Sequence, residues 1–83
     1  MHTINVKFVA TELAPGLNNG NYNVDDGTSV MALIKQCEEA SGATVPEGCL
    51  KLLYPLFNSK PVRLETPLNE SGTLHFCRVV LGG

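Results

Sequence analysis

Tryptophan is absent from this 83-residue chain, and cysteine occurs only three times. Cys37, Cys49 and Cys77 are an odd number at wide spacings with no CxxC pair, so the sequence indicates neither a disulfide framework nor a zinc site. Basic residues are few and scattered: six Lys and Arg against eight Asp and Glu, for a net charge of −2. That balance argues against a nucleic-acid surface, which needs clustered cations. No apolar run reaches membrane-spanning length, and the start of the chain lacks the basic and apolar regions of a secretion signal, so a cytoplasmic protein is the expectation. The motifs GxxxxGK(S/T), GxGxxG, HExxH and GxSxG are all missing. His2 and His75 stand apart, with no spacing that gathers them into a metal set. Asp25-Asp26 and Glu38-Glu39 read as a helix entry and a solvated helix face. The sequence therefore points away from an enzyme acting alone, and no bound cofactor or metal is expected.

What is present suits one small folded domain over residues 1–83, with enough apolar residues for a modest core. Thr3 to Ala10 alternate, with Ile4, Val6 and Phe8 inward, as a first strand. Glu12 to Asn21 carries Pro15, Gly16, Asn18, Asn19 and Gly20 and reads as a loop. Tyr22 and Val24 are the inner residues of a second strand. Thr28 or Ser29 then caps a helix, and Val30, Leu33, Ile34 and Cys37 form its apolar stripe. Lys35, Gln36, Glu38 and Glu39 take the solvent side, and Gly42 ends the helix.

Ala43 to Gly48 reads as a connecting loop, and Leu50 to Phe57 as a strand in which Pro55 demands an edge position or a bulge. Asn58-Ser59-Lys60-Pro61 reads as a turn, with Val62 to Leu64 as a short return strand. A polar corner at Asn69 to Gly72 leads to a last strand from Thr73, with Leu74 and Phe76 on one face and Thr73, His75 and Cys77 on the other. The order ββαβββ implies an α+β domain with one helix on a sheet of four to five strands.

The end of the chain is the unusual part. Val79, Val80 and Leu81 run straight into Gly82-Gly83 with no charge following. Glycine adds no packing and loses the most backbone entropy on ordering. A terminal pair of glycines does provide a thin thread whose carboxylate can enter a narrow site. Frayed ends also contain glycine, but the apolar approach and the preceding strand favour a working terminus, with residues 79–83 as a flexible tail.

These residues carry a resemblance. Strand, strand, helix, strands and Gly-Gly, together with Ser29-Val30-Met31-Ala32-Leu33, Lys51-Leu52-Leu53 through Phe57-Asn58, Val62, Pro67-Leu68, Phe76 and Val80-Leu81-Gly82-Gly83, resemble the small prokaryotic sulfur carriers. These are the small subunit of molybdopterin synthase (MoaD) and its relative in thiamine synthesis (ThiS), which have the β-grasp, ubiquitin-like fold with a mixed sheet. The string Ser71-Gly72-Thr73-Leu74-His75 before a Gly-Gly end is also similar to ubiquitin, whose arginines before the glycines are here Val80 and Leu81. The corner Glu70-Ser71-Gly72 departs from the acidic Asp-Gly-Asp-type turn usual in the carriers.

The resemblance implies that an E1-like partner uses ATP to adenylate the Gly83 carboxylate and that a persulfide sulfur replaces AMP to leave a thiocarboxylate. Gly82 is then needed for its slimness. A synthase subunit accepts the sulfur, most readily in molybdopterin-type synthesis and next in thiamine-type. Phe76, Arg78, Val79, Val80 and Leu81 are the expected partner-binding residues. The alternatives are a modifier conjugated through Gly83 and a plain interaction module. Burying Val79, Val80 and Leu81 yields roughly 1.5–3 kcal/mol each, and ordering five tail residues costs about 1–2 kcal/mol each. These nearly cancel, so a surface of the folded sheet must supply the rest of the binding.

Overall fold

Ile4, Val6 and Phe8 alternate with Thr3, Asn5 and Lys7, and the inward set is buried on strand β1 (His2–Phe8). In the computed structural model, which describes residues 1–79, a single 3-10 turn at Thr11–Leu13 follows. Next come β2 (Gly20–Val24), β3 (Thr28–Ser29), α1 (Val30–Ser41) and α2 (Glu47–Leu50). The chain continues through β4 (Leu53–Phe57), β5 (Lys60–Pro61), β6 (Pro67–Leu68) and β7 (Gly72–Arg78). The architecture is α+β, as expected. A mixed five-stranded sheet runs in the order β2-β1-β7-β4-β5, parallel at β1–β7 and antiparallel elsewhere. One core joins Ile4, Val6, Phe8, Leu53, Leu74 and Phe76 of the sheet to Val30, Leu33, Ile34 and Cys37 of α1.

The start of α1 shows how the helix is fixed. The first-turn N–H groups of a helix have no partner within it. Here Val30 N–H donates to Thr66 O (3.1 Å), Met31 N–H to Leu64 O (2.8 Å) and Ala32 N–H to the Ser29 hydroxyl (3.1 Å). The crossing segment 64–68 is thereby bound to the helix start, and β3 and β6 form their own short ladder beside it. At the other end Gly42, at φ +69°, closes the helix through its N–H to Glu38 O. Glu38 is half-buried rather than solvated as the sequence suggests, because its carboxylate accepts the Val45 N–H at 2.7 Å.

Three boundaries differ from expectation. The first strand stops at Phe8 because the Val9 and Ala10 N–H groups both turn onto Phe76 O, at 3.0 and 3.1 Å. The expected loop before β4 contains the turn α2, since the carbonyl of Pro46, at φ −58°, accepts from Cys49 and Leu50 and delays the strand to Leu53. The return strand is β5, not Val62 to Leu64: the turn is only Asn58-Ser59, both at positive φ (51° and 69°), with Phe57 opposite Lys60.

Pro55 sits inside β4 without cost to the β4–β7 ladder. Asn58 N–H donates to Thr73 O and Val79 N–H to Leu52 O, so alternate residues from Leu52 to Asn58 face β7. Pro55 belongs to the other set. Its carbonyl accepts from Val62 N–H (3.1 Å), and its missing N–H falls where the β5 ladder ends.

Two outcomes follow for stability. Ser59 holds a left-handed conformation that costs a non-glycine residue about 1–2 kcal/mol. Ser59→Gly should therefore raise the unfolding free energy by about 1 kcal/mol in denaturant titration. Burial pushes the Cys37 thiol from its ordinary 9.0 up to about 11, and burial also raises the Tyr22 phenol. An unfolded chain loses the Cys37 proton near pH 9 while the folded chain keeps it. Stability should be unaffected by this group below pH 9 and fall as pH rises towards 11, a loss that Cys37→Ala removes, as read by urea titrations at stepped pH.

Candidate functional site

The last strand is an inner strand of the sheet, between β1 and β4. Its pairing continues one residue beyond β7, because Val79 N–H donates to Leu52 O at 2.8 Å. The backbone is thus still held at the residue where the sequence reading begins the flexible tail. Val80, Leu81, Gly82 and Gly83 lie outside the described residues. The structure does define the platform from which they leave.

Of the remaining expected partner-binding residues, the structure brings only Arg78 and Val79 to the exit. Arg78 is exposed and Val79 half-buried. Phe76 requires a correction. It is 0% exposed and stacks on Phe8 with ring centroids 5.0 Å apart and planes 13° from parallel. It holds the exit strand in place and has no surface to offer a partner.

The face of the sheet opposite the core carries the other half of each strand. Parallel register sets Asn5 beside Thr73 and Lys7 beside His75, while antiparallel register sets Leu56 beside His75 and Tyr54 beside Cys77. Pro61 continues the Lys7–His75–Leu56 row outward. The face is graded along the strands. Its end away from the exit is polar, with Asn5 Nδ2 donating to Asn21 Oδ1 (2.8 Å) and Thr3 Oγ1 to Asn23 Oδ1 (3.0 Å). The end towards the exit is apolar: Tyr54 is 42% exposed, and Val9, just past β1, is 61% exposed. Cys77 is half-buried on this face, whereas Cys37 is sealed in the core.

Sequence reasoning missed Tyr54, Leu56 and Val9. The signal was available in β4, where Leu53-Tyr54-Pro55-Leu56-Phe57 is apolar at every position. A strand with apolar side chains on both faces has one face more than a single helix covers.

The chemistry elsewhere is sparse. Among the described residues there is no group of three or more His, Cys, Asp or Glu placed to hold a metal, and no helix long and apolar enough to cross a membrane. A shallow hollow of about 360 Å³ at the end of α1 is lined by Lys35, Glu38, Glu39, Gly42, Ala43 and Thr44. One of its carboxylates, Glu38, is already engaged with the backbone of Val45.

No protein-family model and no curated protein matches the chain. Solved structures do match, along essentially their whole length. A protein described as molybdopterin converting factor subunit 1 from Pyrococcus furiosus is similar with a TM-score of 0.66 at 15% identity, covering 96% of this chain and 100% of that one. Small archaeal modifier protein 1 of Haloferax volcanii is similar in two crystal structures. Their TM-scores are 0.64 and 0.67 at 16% and 15% identity, over 98% and 96% of this chain and 99% and 100% of theirs. With its mixed sheet, single main helix and last strand beside the first, the chain has the β-grasp, ubiquitin-like fold of these proteins.

Proposed function

We propose that this chain is a carrier rather than an enzyme: a cytoplasmic sulfur carrier whose Gly83 carboxylate is activated by an E1-like partner and converted to a thiocarboxylate. The observation that supports this reading is a full-length likeness to a molybdopterin converting factor subunit, in a chain that leaves an inner strand towards Gly82-Gly83. In the proposed reaction a Gly83 carboxylate oxygen attacks the α-phosphate of ATP and releases pyrophosphate. The terminal sulfur of a partner's persulfide then attacks the acyl adenylate and expels AMP. A thiol cleaves the resulting acyl disulfide, leaving sulfur on Gly83. A synthase subunit then takes that sulfur for a small-molecule precursor, with a molybdopterin-type product the first candidate and a thiamine-type product the second. ATP belongs to the activating partner, and neither nucleic acid nor a membrane has a part.

Glycine is required at Gly82 and Gly83 because a Cβ would widen a thread that must reach another protein's active site. Val79, Val80 and Leu81 accompany it, while Tyr54, Leu56 and Val9 supply the additional apolar contact that the tail cannot provide alone. A second reading, conjugation of Gly83 to lysine amines, is favoured by the likeness to structures named as a modifier protein. The two readings share activation and differ in whether a persulfide sulfur or an amine attacks.

Intact mass of the protein from its native cell should show one oxygen-to-sulfur exchange localised to Gly83. Gly83 found joined to lysines would select the modifier, and neither form after incubation with an E1-like enzyme, ATP and a sulfur donor would leave an interaction module. Gly83→Ala should melt like the wild type and yield at least tenfold less thiocarboxylate. Wild-type yield from that variant would refute the assignment of Gly83.

A further inference from the structure

The distribution of charge over the sheet is one-sided. All eight carboxylate side chains lie outside the five-stranded sheet: Glu12 in the 3-10 turn, Asp25 and Asp26 before β3, Glu38 and Glu39 on α1, Glu47 on α2, and Glu65 and Glu70 in connections. The open face holds Lys7 and, directly beside it in register, His75. Lys7 is exposed and makes none of the ion pairs found among the described residues, and His75 is half-buried. The groups facing His75 are Lys7 on β1, Leu56 and Tyr54 on β4, and Thr73 and Cys77 on its own strand. None of these is an acid.

A protein that covers Tyr54 and Leu56 also covers Lys7, and removing an ammonium from water without a partner is costly. We infer that the partner surface for this face carries a carboxylate that sits over the Lys7–His75 pair, surrounded by apolar contact. The occupant is thus an acidic, largely apolar patch on the activating enzyme. This inference rests on the reading that the open face docks the enzyme that acts on Gly83.

The test uses the full chain and the E1-like adenylating enzyme of its source organism, identified by ATP–pyrophosphate exchange that depends on this protein. Calorimetry should show Lys7→Ala weakening Kd by about fivefold and Lys7→Glu by about thirtyfold, with the Lys7→Ala deficit shrinking at high salt. Tyr54→Ala and Leu56→Ala serve as independent probes of docking, and melting curves check the fold of each variant. Apolar variants that weaken binding while Lys7→Glu does not would overturn the inference and leave the docking reading standing. Apolar variants that bind like wild type, or no enzyme showing exchange, would sink the docking reading and this inference with it.

Discussion

Phe8 and Phe76 lie ring on ring within the core shared with α1, at the end of a parallel ladder that joins the first strand of the chain to the last. Closing that contact brings together residues from opposite ends of the sequence, and the entropy of doing so has to be met by burial of Ile4, Val6, Leu74 and their neighbours. Once β1 and β7 are adjacent, the other positions follow. β2 returns along the outer side of β1 and β4 along the outer side of β7, and the helix between them has only the inner face left to cover. The open face and the exit point of the tail are both set by this one pairing.

Polar contacts fix what apolar packing leaves loose. Asn58 grips Thr73 twice, its N–H donating to Thr73 O and its side-chain oxygen accepting the Thr73 N–H at 3.0 Å. Gly72 allows this approach, since a Cβ there would come within 2.8 Å of Asn58 Cγ. The β4–β5 hairpin is thereby locked to the start of β7, which pins the register on which the Lys7–His75–Leu56 row depends. At the outer edge of β2, Gln36 of α1 donates to Asn23 O at 2.8 Å. That bond covers a backbone carbonyl that could otherwise recruit another strand.

Much of this was legible in the residues. The stripe Val30, Leu33, Ile34 and Cys37, the Ser29 cap and the Gly42 stop define α1 because their period and termini agree. Alternation likewise gave β1 and β7 their two faces. It could not say which face of β7 meets the helix, and so it did not correct the partner role that the resemblance implied for Phe76, which belongs to the core. Four residues at Glu47–Leu50 are too few to show a helical period. The turn after β4 was placed correctly but drawn two residues too long, because serine at position 59 does not advertise a tight two-residue turn as glycine would. The proposed site was legible as a terminus and not as a platform, because Tyr54 acquires meaning only once register sets it beside Cys77, and Val9 only once its N–H is tied to Phe76 O.

An inner last strand also has a mechanical meaning. In the proposed function other proteins handle the tail, which is then a point at which force enters the molecule. Tension along the axis of β7 is borne by hydrogen bonds to β1 on one side and β4 on the other, so the strand must slide past both neighbours at once instead of unzipping bond by bond. Were the tail to leave from β2 or β5, each at an edge, the same tension would be borne by a single ladder. Under the proposed function, a partner's grip on the tail would be anchored where two ladders share the load.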